Sequence, residues 1–260
     1  MSIHPTAIID AQANIAADVT IGAYTIIKGN VNIGSGCDLS PHTVIYGPTT
    51  MGANNRFHSH TVIGDQPQDQ KYDGSTATLH IGNNNTFREF CTIHRGVEGT
   101  RIENNNLFMA YSHVAHDCTL GSNNILSNGA TLGGHVQVAD HVVFGGLCAV
   151  HQHCRIGRNT MIAGGSMVVQ DVPPFVIAQG DRAQLYGLNR IGLRRKSIPS
   201  TTIDELHRLY RILFLSRLPR KKAITLAEQQ DFQTPETKQL LQFFNHSTRG
   251  ICRATGQSTR

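Results

Sequence analysis

Large aliphatic or aromatic residues recur along this chain at every sixth position. From Ile3 the series runs Ile9, Ile15, Ile21, Ile27, Ile33, Leu39, Ile45, Met51, Phe57 and Ile63 without a polar interruption. It resumes at Ile81, Phe87 and Ile93, changes phase, and continues in sixes from Ile102 through Phe108, Val114 and Leu120 to Val168. A period of six matches neither the 3.6 residues of an α-helix nor the plain alternation of a strand. It fits a short strand followed by a sharp corner, with one large side chain per face turned inward and three faces closing a coil of about eighteen residues. Stacked coils would then pair edge to edge at about 4.8 Å. The pattern predicts a parallel β-helix. The slot two positions before each member is small or modest in size (Ala7, Ala13, Val19, Thr25, Cys37, Thr43). Glycine often follows a member (Gly22, Gly34, Gly52), and asparagine clusters at corners (Asn83 to Asn85, Asn104 to Asn106). Both tolerate the left-handed backbone that corners require.

The interruptions matter as much as the beat. Asp69 and Ser75 fall where large residues belong, so the segment from Gly64 to Gly74 leaves the solenoid as a polar loop. A second break, from His94 to Arg101, delays the next member. Polar loops on a regular frame point to function rather than packing. The beat ends after Val168, and Asp171-Val172-Pro173-Pro174 marks an exit. Thr202-Ile203-Asp204-Glu205 then reads as a capping box, followed by an apolar stripe of Ile203, Leu206, Leu209, Tyr210, Leu213 and Phe214 at helical spacing. Thr225 with Glu228, and Thr234-Pro235, read as the starts of two more helices. The fold class is an all-β solenoid plus α: a β-helix over residues 1–181 and a helical domain over 182–260.

Composition adds partners and compartment. Of the six cysteines, Cys37, Cys91, Cys118, Cys148 and Cys154 occupy the small slot before a member, which predicts buried thiols rather than bridges or metal ligands. The net charge of +5 is unevenly placed. Between Arg182 and Lys222 eleven basic residues face only Asp204 and Glu205, a field suited to a phosphorylated ligand or an acidic protein. The chain has no tryptophan and no basic segment interleaved with stacking aromatics, which argues against nucleic acid. No signal peptide or membrane-length apolar run is visible, so a cytoplasmic protein without membrane insertion is expected.

The candidate chemistry lies in the histidines. With a coil of about eighteen residues, His116 sits beneath Gly134 and Gln152, which gathers His116, His135, His151 and His153 near one corner. Asp117 beside His116 could fix the imidazole tautomer. The glycines at 133 and 134 let a backbone N–H approach a ligand as an oxyanion donor. His113 and His116 also have metal-ligand spacing, which keeps open a zinc carbonic anhydrase of the hexapeptide class. The basic segment after residue 182 has no counterpart in that reading, and no metal is expected.

The strings Ile93-His94-Arg95-Gly96, His113-Val114-Ala115-His116-Asp117-Cys118, Gly134-His135-Val136, Ala149-Val150-His151-Gln152, Gln170-Asp171-Val172-Pro173-Pro174 and Ser247-Thr248-Arg249-Gly250, in this order, resemble the acyl-carrier-protein-dependent UDP-N-acetylglucosamine O-acyltransferases of lipid A biosynthesis. The resemblance implies a left-handed parallel β-helix, an exception to right-handed crossovers, and a homotrimer with active sites between subunits. It implies transfer of an (R)-3-hydroxyacyl group from acyl carrier protein to the 3-hydroxyl of UDP-N-acetylglucosamine. No resident cofactor is implied, because the phosphopantetheine arrives on the acyl carrier protein.

On the same resemblance His116 is the general base, Asp117 its support and the Gly134 N–H the oxyanion donor. Neighbours on a strand point to opposite faces, which counts against Asp117 reaching His116. Gln68, Asp69 and Lys71 match substrate contacts, and His113, His135, His151 and Gln152 match the lining of the nucleotide-sugar site. Asn189, Arg195 and Lys196 match residues near the nucleotide and its diphosphate. Gly164 falls where a bulky side chain shortens the acyl pocket in some members, so glycine implies room for a longer chain. The sequence departs from the pattern at Ile191, where an acidic residue contacts the nucleoside, at Gln70, where an aliphatic residue is usual, and at His153, which replaces an aromatic. The N-acyltransferase of the same pathway carries an extra N-terminal uridine-binding domain, and a repeat that begins at Ile3 weighs against it.

Overall fold

A computed structural model describes residues 2–255. Strands of two to five residues form three sheets of eleven, nine and eight strands. Thr20 pairs with Asp38, His113 with Thr131 and Gln137 with Arg155, a step of eighteen in each sheet. The pairing is parallel until the final Val176–Gln179 and Gln184–Leu188, which run antiparallel. The sheets are thus the faces of a prism, filled by the six-residue series. Every member from Ile21 to Val168 is buried, and Ile3, in the first coil, is exposed. Each buried Ile, Leu or Phe contributes about 1.5–3 kcal/mol, so the series accounts for the folding of the solenoid.

The slot before each member holds more polarity than its small residues suggest. Asn55, Asn85, Asn106 and Asn124 point inward as a buried ladder. Asn55 Oδ1 accepts from Asn85 N at 2.9 Å, Asn85 Oδ1 from Asn106 N at 2.9 Å, and Asn106 Oδ1 from Asn124 N at 2.8 Å. Buried amides are tolerable because each is paired with the next coil. The predicted buried thiols are present: all six cysteines are free and buried, and burial pushes the Cys91 and Cys118 thiols up to about 12.

The glycines that follow the beat have a different cause from the one expected. Gly34 does not adopt a left-handed backbone; a Cβ there would meet the Gly52 carbonyl carbon and oxygen of the next coil at 2.6 Å. Close approach of coils, not a positive φ, excludes a side chain. The left-handed non-glycine residues of the prism are instead the second residues of the corners, with φ between 54° and 70°, and most carry large side chains. One edge of the prism shows Tyr24, His42, His60, Phe90 and Tyr111 as a column of stacked rings 4.9–5.2 Å apart. A second edge carries Asn84, Asn105, Asn123 and His141, and the third Asp117, His135 and His153. Such backbone is costly for a residue with a Cβ, and on the third edge it displays Asp117, His135 and His153.

Both expected loops leave the prism. Arg56 pairs with Thr86 and Val62 with Thr92, thirty positions apart instead of eighteen, so the first insertion adds twelve residues. The second adds three, since Thr92 pairs with His113 across twenty-one.

Four α-helices follow among the described residues, α1 (Arg190–Arg195), α2 (Ser200–Tyr210), α3 (Arg220–Glu228) and α4 (Pro235–His246), with a π-helical segment, Arg211–Leu215, continuing α2. Two predicted starts are corrected. α2 begins at Ser200, just after Pro199, so Thr202 lies inside the helix and is buried. Glu205 instead accepts from Thr234 N at 3.3 Å and Thr234 Oγ1 at 3.0 Å, holding the start of α4. α3 starts at Arg220, which leaves Thr225 in its interior with Oγ1 donating to Lys221 O. The Pro235 start of α4 is as expected. Asp171, fully buried, accepts from Arg155 N at 2.8 Å and Ser247 Oγ at 2.7 Å, fastening the C-terminal segment to the solenoid. No helix among the described residues is long and apolar enough to cross a membrane.

Candidate active site

His116 and Asp117 are not strand neighbours. They form the corner between His113–Val114 and Thr119–Leu120, and the Asp117 φ of 61° turns its carboxylate back toward the imidazole. Asp117 Oδ2 lies 2.7 Å from His116 Nδ1. The corner thus allows the contact that strand geometry counted against. An ionised carboxylate only accepts, so Nδ1 carries the proton and the Nε2 lone pair is left for chemistry. Asp117 is itself held: Oδ1 accepts from Glu98 N at 2.6 Å, and its backbone N donates to Thr100 Oγ1 at 2.8 Å. Its side chain is 4% exposed, against 14% for His116. Gly96 packs directly on it; a Cβ there would stand 2.2 Å from Asp117 Oδ1. The three-residue insertion is therefore a bracket for the carboxylate.

Gly134 lies one coil above His116. A Cβ on Gly134 would meet His116 Cε1 and Nε2 at 2.8 Å, so only glycine leaves the imidazole its place. The Gly134 carbonyl accepts from His153 N at 3.0 Å, while its N–H has no acceptor among the described residues. An imidazole nitrogen and an unused backbone donor thus flank one small space. His135 crosses His116 edge-on with centroids 5.2 Å apart and stacks on His153 at 4.5 Å. Its Nε2 is 3.8 Å from Asp117 and its Nδ1 3.9 Å from Glu98.

His113 approaches from the neighbouring face. Its Nδ1 lies 2.7 Å from Thr92 Oγ1, and it meets the buried His94 edge-on. Burial, with a smaller contribution from His94, pushes its pKa down to about 4, so it is neutral at pH 7. His151 and Gln152 are exposed one coil further on, and His151 Nδ1 receives Arg249 Nη2 at 2.7 Å. Gln68, Asp69 and Lys71 are exposed on the first loop, where Asp69 Oδ1 accepts from Lys71 N. Gly164 stands on a different edge, exposed above Gly146.

The remaining candidates are not brought to His116 within one chain. Asn189 is buried, caps α1 by accepting from Gly192 N and donates to Asn159 O. Lys196 Nζ rests 2.9 Å from His141 Nδ1 on the edge of the asparagine corners, and Arg195 is exposed in the last turn of α1. Sequence reasoning passed over Glu98, Thr100 and Arg249 as site residues. The break at 94–101 was the available signal for the first two; the Arg249 contact spans ninety-eight positions and leaves no local trace.

Among the described residues, His116, Asp117 and His135 form the one grouping with ligand atoms close enough together for a metal ion. Its carboxylate is already hydrogen-bonded to His116 Nδ1 and to Glu98 N, which suits an oriented base better than a coordination shell.

A prism of six-residue repeats with a carboxylate-backed histidine at one corner defines a hexapeptide-repeat transferase, and residues 99–134 match the model of the bacterial transferase hexapeptide. Residues 171–252 match the second domain of UDP-N-acetylglucosamine O-acyltransferase. The acyl-carrier-protein–UDP-N-acetylglucosamine O-acyltransferase of Herminiimonas arsenicoxydans is 48% identical over 259 residues, covering 96% of this chain and 99% of that protein. The chain belongs to the UDP-N-acetylglucosamine O-acyltransferase family. Solved relatives agree: the Moraxella catarrhalis enzyme superposes with a TM-score of 0.92 at 42% identity, over 97% of this chain and 100% of that one. The Francisella novicida enzyme gives 0.94 at 32% identity, over 98% and 95%.

Proposed function

We propose that this protein transfers an (R)-3-hydroxyacyl group from acyl carrier protein to the 3-hydroxyl of UDP-N-acetylglucosamine in the cytoplasm, opening lipid A synthesis. The observation that carries the mechanism is His116, with Nδ1 tied to Asp117 and Nε2 beside the Gly134 backbone. Nε2 takes the sugar hydroxyl proton as the oxygen attacks the thioester carbonyl. The Gly134 N–H receives the developing oxyanion, an effect worth roughly 3 kcal/mol for one donor. Asp117 stabilises the imidazolium, which returns its proton to the departing thiolate. His113, neutral, offers a polar contact without repelling a cation at His116.

The reading includes a homotrimer. Asn189, Arg195 and Lys196 stand away from the His116 edge of their own chain, which supports their serving the His116 corner of a neighbouring subunit. A guanidinium suits the diphosphate there. Arg195→Ala should raise the KM for the nucleotide sugar about tenfold with kcat little changed, as expected for loss of a charge-assisted hydrogen bond. An unchanged KM would remove Arg195 from the diphosphate site.

Gly164 bears on donor length. A side chain there meets only Gly146 O closely, at 3.2 Å, so Gly164→Met should fold and shift preference toward shorter acyl donors. An unaltered chain-length profile would place the pocket floor elsewhere. The reaction itself is tested by incubating the purified protein with UDP-N-acetylglucosamine and acyl carrier proteins bearing 3-hydroxyacyl chains of several lengths. Absence of O-acylated sugar with every donor would refute it.

A further inference from the structure

A cavity of about 710 Å³ lies away from the His116 corner, between the outer face of the eight-stranded sheet and α4. Its volume falls in the range of small-molecule sites, roughly 300–1,000 Å³. Its floor is made by outward side chains of successive coils, among them Gln137 and Arg155, and its roof by Gln242, Phe243 and His246 of α4. Arg158 closes one side. Two guanidiniums and an imidazole line this space, and no carboxylate does so among the described residues.

The guanidiniums are arranged, not merely present. Arg155 lies over the Phe243 ring, 5.0 Å from its centroid, and its Nη1 donates to His246 O at 3.1 Å, which fixes its plane. Arg158 Nε is buried with no acceptor. That nitrogen is out of reach of an occupant, and Arg158 contributes its charge to the lining. The basic group is also close enough to lower the pKa of His141, behind the effects of burial and Lys196, so the field extends along this side of the prism. Gln137 and Gln242 can each donate or accept, and the half-buried Phe243 offers apolar surface.

We propose that this cavity is a second ligand site, separate from the acyl-transfer corner, for a small organic phosphate whose apolar body rests on Phe243 and whose phosphate is held between Arg155 and Arg158. A bidentate guanidinium contact suits a phosphate oxygen pair. Thr119, in the strand that begins two residues after Asp117, also lines the cavity, so an occupant touches the coil that carries the base.

The test is calorimetric titration of the full-length protein with phenyl phosphate, with inorganic phosphate and benzyl alcohol as separate probes. Phenyl phosphate should bind once per chain and at least about tenfold more tightly than either probe alone. Arg158→Gln should weaken it by about tenfold or more, the loss expected for one charge-assisted contact. Gln242→Glu, a change at an exposed position of α4, should weaken it similarly by placing a carboxylate in the cavity, and so provides a variant that does not disturb the core. His116→Ala and Arg195→Ala should leave it unchanged. The proposal is overturned if no binding is seen, if inorganic phosphate binds as well as phenyl phosphate, or if Arg195→Ala abolishes binding while Arg158→Gln and Gln242→Glu do not.

Discussion

Replacing His116 by alanine should lower kcat by about two to four orders of magnitude, the range for losing a positioned general base, with no change in melting temperature or oligomeric state. The structure explains both halves of that result. His116 stands at a corner, outside the buried series, and its loss opens no cavity in the prism. Asp117 keeps the Glu98 N–H on Oδ1 and the Thr100 hydroxyl on its backbone N, so the carboxylate remains in place without its imidazole. What disappears is the one nitrogen presented to the space beside Gly134. Steady-state kinetics with acyl carrier protein as donor, alongside thermal denaturation, measures the two halves independently. Near-wild-type turnover would exclude His116 as the base; a large fall in melting temperature would show that it also supports the fold.

The largest expected effect on stability comes from Phe87→Ala, at about 3–5 kcal/mol. Phe87 is fully buried between the rings of Phe57 and Phe108, with centroids 4.9 and 4.6 Å away and planes nearly parallel. The gap it leaves cannot readily close, because Thr86 is paired on both sides and the Asn55–Asn85–Asn106 ladder fixes the adjacent corner. In a solenoid each coil touches only its neighbours, so a weak coil loosens the coupling between the halves it joins. Denaturant unfolding should show the loss. A cost below about 1 kcal/mol would mean that the coils relax into the space far better than cores generally do.

The prism was legible from the sequence because its cause is periodic: one large residue in six is visible without knowing what it touches. The loops were legible for the same reason, as failures of the beat at Asp69, Ser75 and 94–101. Asp117 was harder. Strand geometry argues that it diverges from His116, and only a left-handed corner, which no local pattern announces for aspartate, brings the pair together. Glycine at Gly34 looked like a conformational requirement and is one of space, a difference set by a coil eighteen residues away. Helix starts at Ser200 and Arg220 were obscured because their N-cap positions are Pro199 and Pro219, which have no capping side chain, while a plausible capping box at Thr202 had its Glu205 engaged elsewhere. The separation of Lys196 from His116 follows from which edge each occupies, and spacing along the chain carries no sign of it.

The asparagine ladder runs unbroken past both insertions: Asn85 bonds Asn55 across thirty positions and Asn106 across twenty-one with the same geometry. Frame and loops are therefore independent in length. A chain built this way can lengthen, shorten or rewrite the segments that leave the prism while the corner holding His116 and Asp117 stays where it is. Selection can thus act on those loops without renegotiating the fold, and the interior amides are what keep those two histories apart.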